Sequence, residues 1–177
     1  MVGRFRSAGI VAAVLLALAG AIVVWSLSAG RELPAGARAD RIVVEKHTHT
    51  LTLYQGDSPL KTYRVALGRG GAGPKMQAGD NKVPEGTYRI IGRNSRSEFH
   101  RSLRVGYPTP EQKRVDAREG VTPGGDIMVH GIRNGLAWMG PLHRTVDWTR
   151  GCVALTDSEM DEVWRAVPDG TTIEIRP

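Results

Sequence analysis

Asp147-Trp148-Thr149-Arg150-Gly151-Cys152-Val153-Ala154-Leu155 holds the only cysteine of the 177-residue chain. A glycine precedes that cysteine and an apolar run follows it. Upstream lies Asp126-Ile127-Met128-Val129-His130. In an extended run, Ile127 and Val129 share one face while Met128 and His130 share the other. His130 sits where this strand ends and Gly131 begins a loop, 22 residues before Cys152.

One cysteine excludes an internal disulfide and a multi-cysteine zinc site. Two readings of it remain: a small buried apolar residue, or a reactive thiol. A thiol attacks carbonyls only as thiolate, and an adjacent imidazole can take its proton near neutral pH. Backbone N–H groups around Gly151-Cys152 would then hold the tetrahedral oxyanion. His143 and His100 are alternative bases. His143 follows Gly140-Pro141-Leu142 with no strand to fix it, and His100 sits among Arg101 and Arg104, on a basic surface that would depress its pKa. His47 and His49 stand in a polar setting and read as solvated. His130 is favoured because a rigid element holds geometry better than a loop.

Outward from this pair, the chain reads as mainly β. Runs at Arg41–Glu45, Thr50–Tyr54, Lys61–Leu67, Thr87–Ile91, Asp126–His130 and Thr171–Ile175 carry strand patterning. Thr50–Leu67 reads as a hairpin turning at Gln55-Gly56-Asp57-Ser58-Pro59. Gly68–Gly73 lacks the Gly-Lys-Ser/Thr ending of a phosphate loop and reads as a mobile loop. Thr109-Pro110-Glu111-Gln112 opens an exposed helix. Thr156-Asp157-Ser158-Glu159 is a capping box, and Met160, Val163, Trp164 and Val167 form the stripe of a helix lying on a core. Ile132–Asp147 contains Trp138, Met139 and His143, has no clear period and reads as a long functional loop. The expected architecture is thus an α+β domain of about six strands and two short helices.

Charge and hydropathy divide the chain. Residues 7–30 are uncharged and follow Arg4 and Arg6, the pattern of a signal peptide or membrane anchor with an exported C-terminal part. The apolar length favours an anchor, although Ser28-Ala29-Gly30 and Ala37-Arg38-Ala39 would permit cleavage. Residues 31–39 read as a linker and 40–177 as the working domain. Of the net charge of +6, residues 1–39 carry half. The domain is therefore only mildly basic, which argues against nucleic acid as a partner.

His130-Gly131 and Thr149-Arg150-Gly151-Cys152-Val153 resemble the signature of the L,D-transpeptidases with a YkuD-type catalytic domain. So do Leu51–Gly68, Gly79-Asp80 and Pro84-Glu85-Gly86-Thr87-Tyr88, so the resemblance spans roughly residues 41–177. Arg150 stands where many members have His, and Ala154 where many have Arg. With Asp147-Trp148-Thr149, this pattern resembles a Gram-negative envelope subgroup that includes both transpeptidases and enzymes that cleave the wall linkage.

The resemblance implies an L,D-transpeptidase-type β-sandwich and an acyltransferase of the cell envelope. Cys152 would attack the carbonyl before the terminal D-alanine of a peptidoglycan tetrapeptide stem, and His130 would protonate the departing D-alanine. Gly131 would orient the imidazole, and Trp148, Thr149 and Arg150 would line the substrate pocket. An amine, or water in a hydrolase, would take the acyl group. No metal or organic cofactor is implied, and carbapenems are expected inhibitors. The leader places the domain in the cell envelope on the periplasmic side, anchored in the inner membrane or secreted to the periplasm. A non-catalytic wall-binding module is the reading from another class, and the joint presence of both motifs argues against it.

Overall fold

Ile42, Val43 and Val44 are buried in β1 (Arg41–Glu45), which places this strand inside the sheet rather than at its edge. The computed structural model describes residues 32–177. The membrane-segment reading of residues 1–30 therefore lies outside the described residues, among which no helix is long and apolar enough to cross a membrane. Leu33 and Ala39 are buried, and Ala39 N–H donates to Ala166 O at 2.8 Å. The stretch read from composition as a linker is thus part of the fold from Leu33 onward.

The described residues form eight strands, two α-helices and one 3-10 helix. After β1 come β2 (Thr50–Gln55), β3 (Ser58–Arg64), β4 (Gly86–Ser97) and β5 (His100–Val105). Then follow α1 (Pro110–Arg118), β6 (Met128–His130), the 3-10 helix (Ala137–Thr145), β7 (Val153–Ala154), α2 (Asp157–Ala166) and β8 (Thr172–Arg176). The sheet order is β3-β2-β1-β8-β4-β5-β6-β7. The β1–β8 and β6–β7 pairs are parallel; the other neighbours are antiparallel.

The two ends of this order meet. Ala66, just past β3, exchanges backbone hydrogen bonds with Ala154 of β7 at 3.0 and 2.9 Å. Their pairing closes the sheet on itself and leaves β7 flanked on both sides. Both helices start as their sequences require: Thr109 with Gln112, and Thr156 with Glu159, form capping boxes. No residue of α1 is buried, whereas Met160, Val163 and Ala166 of α2 face the core. Lys61 Nζ pairs with Glu162 at 2.7 Å and Tyr63 Oη donates to the same carboxylate at 2.9 Å, fastening α2 to β3.

Two expectations are corrected here. The loop Ile132–Asp147 contains a 3-10 helix, giving three helices rather than two. Its length has a geometric cause: β6 and β7 are parallel, so the chain must cross back along the sheet before β7 can start. The glycine-rich stretch after Gly68 is tied down rather than loose. Asp80 accepts backbone N–H bonds from Met76, Gln77 and Lys82 and an ion pair from Lys75 at 2.7 Å. Burial opposes ionisation of Asp80, but these donors hold its carboxyl well below the usual carboxylate range. Buried Lys46 adds bonds to Gly73 O, Val83 O and Glu85 Oε1.

Candidate active site

The register of β6 and β7 aligns Val129 with Val153 and His130 with Ala154. Both valines are fully buried and face the core. By alternation, His130 projects from the opposite face, and so does Cys152, one residue before Val153. Strand spacing and residue rise put the two Cα atoms about 8 Å apart on that face. This face opens into a cavity of about 960 Å³ lined by both residues.

The loop before the cysteine is fixed by its own sequence. Asp147 Oδ1 accepts the Leu67 N–H at 2.8 Å, and Asp147 Oδ2 meets His49 Nε2 at 3.0 Å. Thr149 bonds to Leu67 O and Arg69 N through its backbone. Its hydroxyl donates to Cys152 O at 2.8 Å and accepts the Gly151 N–H at 3.2 Å. Gly151 has φ +115°, and a Cβ there would lie 2.7 Å from Lys82 O, so only glycine fits. Because its N–H is already engaged by Thr149, Gly151 is not placed as the expected oxyanion donor. The backbone amide nearest the sulfur without such a partner, among the described residues, is that of Cys152 itself.

Electrostatics keep the pair neutral at rest. Cys152 is half-buried and its thiol donates to Asp126 O at 3.6 Å. Burial pushes the thiol above its ordinary value, against a backbone hydrogen bond from Met128 N–H that favours thiolate. Burial pushes His130 down, against the Gly131 carbonyl that favours its charged form. His130 Nδ1 lies 2.7 Å from Gly131 O, which makes Nδ1 the protonated nitrogen and leaves the Nε2 lone pair free. Phe99 packs on the His130 ring at 4.6 Å between centroids, and Trp148 stands at 5.7 Å from it.

The structure brings Cys152, His130, Trp148, Thr149 and Arg150 to one cavity, with Gly131 behind the imidazole and Gly151 behind the sulfur. His143 reaches the same cavity, on the 3-10 helix, but is only 3% exposed. Burial, with Arg144 beside it, pulls its pKa down to about 4. Its ring nitrogens face Trp148 Nε1 at 3.4 Å and Arg144 Nε at 3.3 Å. His100 is not on the basic surface read from sequence: its Nε2 meets Asp161 Oδ1 at 2.7 Å and its Nδ1 lies 3.9 Å from Asp157. Phe99, Asp126 and the Met128 amide were not singled out by sequence. Phe99 sits in the turn between two strands of weak patterning, and the other two act through the backbone. Among the described residues, no group of three or more His, Cys, Asp or Glu side chains converges as a metal site.

The chain resembles known proteins in sequence and in fold. The Escherichia coli (strain K12) protein YafK, which carries the name of an L,D-transpeptidase, is 28% identical over 132 residues. That match covers 71% of this chain and 46% of YafK, so the chain spans about half the length of the curated relatives it matches. The helical cell shape determining protein Pgp2 of Campylobacter jejuni superposes with a TM-score of 0.58 at 22% identity, covering 79% of this chain and 48% of Pgp2. Bd1075 of Bdellovibrio bacteriovorus superposes with a TM-score of 0.55 at 23% identity, covering 81% and 50%. At these identities the two structures speak for the fold. The YkuD family, described as the L,D-transpeptidase catalytic domain, matches residues 39–175, which include every residue of the cavity and both sides of the β6–β7 pair. The chain therefore belongs to the YkuD family of L,D-transpeptidase catalytic domains.

Proposed function

We propose that this domain is a cysteine-dependent L,D-transpeptidase acting on peptidoglycan tetrapeptide stems. The observation that carries the reading is the placement of Cys152 and His130 on one face of adjacent parallel strands, opening into a common cavity. In the first half-reaction, the Cys152 proton passes to His130 Nε2 as the sulfur attacks the carbonyl before the terminal D-alanine. The developing oxyanion is met by the Cys152 N–H. Collapse breaks the C–N bond, His130 returns the proton to the leaving amine, and a thioester remains on Cys152. In the second half, an acceptor amine gives a proton to His130 Nε2 and attacks the thioester. The amide forms, and the proton returns to the sulfur.

Trp148, Thr149 and Arg150 line the acyl site, with Arg150 exposed and available to a stem carboxylate. Water in place of the amine gives a hydrolase with the same site. We place the domain outside the cytoplasmic membrane, held or delivered by residues 1–30.

The test is to incubate purified domain with tetrapeptide-bearing muropeptides and follow the products by mass. Cross-linked dimers with released D-alanine support transfer. Stems shortened or freed from cross-links, without dimers, support the hydrolase. Unchanged muropeptides with every acceptor amine tried would overturn both.

A further inference from the structure

Asp157 and Asp161 give α2 an acidic face. Asp157 opens this helix, and its Oδ1 accepts the Ile132 N–H at 2.8 Å. That N–H and the Gly131 C=O belong to the same peptide group. The Gly131 oxygen in turn meets His130 Nδ1 at 2.7 Å. The carboxylate and the imidazole are thus joined end to end across one peptide bond. We infer that Asp157 is a positioning residue for His130, holding and polarising the Gly131–Ile132 peptide so that its carbonyl oxygen better supports the protonated imidazole.

The physics is that of a short hydrogen-bonded chain. In a trans peptide, N–H and C=O point in opposite directions. Negative charge at the N–H end draws electron density toward the oxygen and strengthens the bond accepted there. Asp157 would then act as the buried acid of a serine-protease triad does, but with a peptide group between acid and imidazole.

A second, independent observation points the same way. A Cβ on Gly131 would lie 2.7 Å from Asp157 Oδ1 and 2.9 Å from His100 Cβ. The missing side chain at 131 is what lets the carboxylate reach the peptide. The Gly131 N–H is also occupied, by Phe99 O at 3.1 Å and Arg101 O at 3.2 Å, so the segment has little freedom to turn away. The inference rests on reading His130 as the base.

Other charges face His130 and must be separated from this one. Cys152, His143, Glu98, Asp126, Arg133 and Arg150 share its cavity. Behind it, Arg101 and His100 of β5 meet Asp161 of α2 at 3.3 and 2.7 Å. Asp161 is the built-in control: it lies on the same helix face, bonds to the same His100, and makes no bond to the peptide.

The experiment compares wild type, Asp157→Asn and Asp161→Asn. The ring of His130 is titrated by NMR on histidine-labelled protein, alongside pH profiles of muropeptide turnover. Asp157→Asn keeps an acceptor for Ile132 N–H but removes the charge. Its His130 pKa is expected to fall by about half a unit or more, the acid limb of kcat/KM to move to lower pH, and kcat to fall about 5–10-fold with KM little changed. The loss stays far below the ~10⁴-fold seen when a triad acid is neutralised, because Gly131 still fixes the tautomer. Asp161→Asn is expected to leave His130 at its wild-type pKa. An unshifted His130 in Asp157→Asn overturns the inference, and so does an equal shift in both variants, which would mean a plain through-space field. Should Asp157→Asn not fold, wild type alone decides. The Ile132 amide and the His130 ring must then respond together when the Asp157 carboxyl, followed by its own carbon resonance, is protonated, and independent responses overturn the inference. A shift in His130 with no turnover of any muropeptide would keep the coupling and remove the proposed function.

Discussion

Gly151 and Lys82 approach so closely that a methyl group on Gly151 would stand 2.7 Å from the Lys82 carbonyl oxygen. The backbone carrying the sulfur is thus seated against the glycine-rich segment, and its φ of +115° is strained for any side chain. Gly151→Ala is expected to lower turnover at least about 100-fold, since small misplacements at a reacting centre cost that much. Circular dichroism should show the sheet retained, and activity near wild type would contradict the account of the loop.

Cys152→Ala and His130→Ala are each expected to lower turnover by about 10³-fold or more, as removal of either partner of a joint nucleophile does. Cys152→Ala should unfold at nearly the wild-type temperature. His130→Ala leaves the Gly131 carbonyl without its donor and should cost roughly 1–2 kcal/mol. Carbapenem treatment should add a covalent mass to wild type and none to Cys152→Ala. Full activity in either variant would remove the assignment.

The thiol sits above its ordinary value and the imidazole below its own, so the resting pair is neutral. Iodoacetamide should therefore alkylate Cys152 slowly at pH 7, with a rate still climbing past pH 9. A plateau reached below pH 7 would instead mean a preformed thiolate–imidazolium pair.

His143 lowers acid stability. Unfolded, it takes a proton near pH 6.5; folded, only near about 4. Between these values the unfolded state binds more protons, so stability is lost as pH falls through that window. At about 1.4 kcal/mol per pH unit, the upper bound at pH 4 is roughly 3 kcal/mol. His130 adds to this in the same direction. Urea unfolding at pH 7 and pH 5 should show the loss, and His143→Gln should flatten it. An unchanged pH slope in that variant would assign the effect elsewhere.

The strand ending in His130 is readable because Ile127 and Val129 alternate with Asp126, Met128 and His130, and both prove buried. The helix after Thr156 is readable from its cap and its apolar stripe. β5 is not: His100, Arg101 and Arg104 surround Leu103 and Val105, and buried Ser102 adds no apolar signal. The order of the segment from Gly68 to Val83 comes from Asp80 and Lys75 bonding within it and from Lys46 reaching Gly73 O and Val83 O from outside, which leaves no period to detect. At the site, the convergence of Cys152 and His130 on one cavity was legible from residue type and flanking glycines. Asp157 was hidden, because its place in a capping-box sequence already explained it.

Ala66 and Ala154, 88 residues apart in sequence, complete the ring of strands beside the nucleophile. Contacts of such long separation are among the slowest to form. The cysteine gains its neighbours from both ends of the domain only when this seam shuts. A chain whose seam is still open holds Cys152 without the segment against which Gly151 is seated. On the proposed function, recovery of turnover after denaturant removal should trail recovery of the sheet signal.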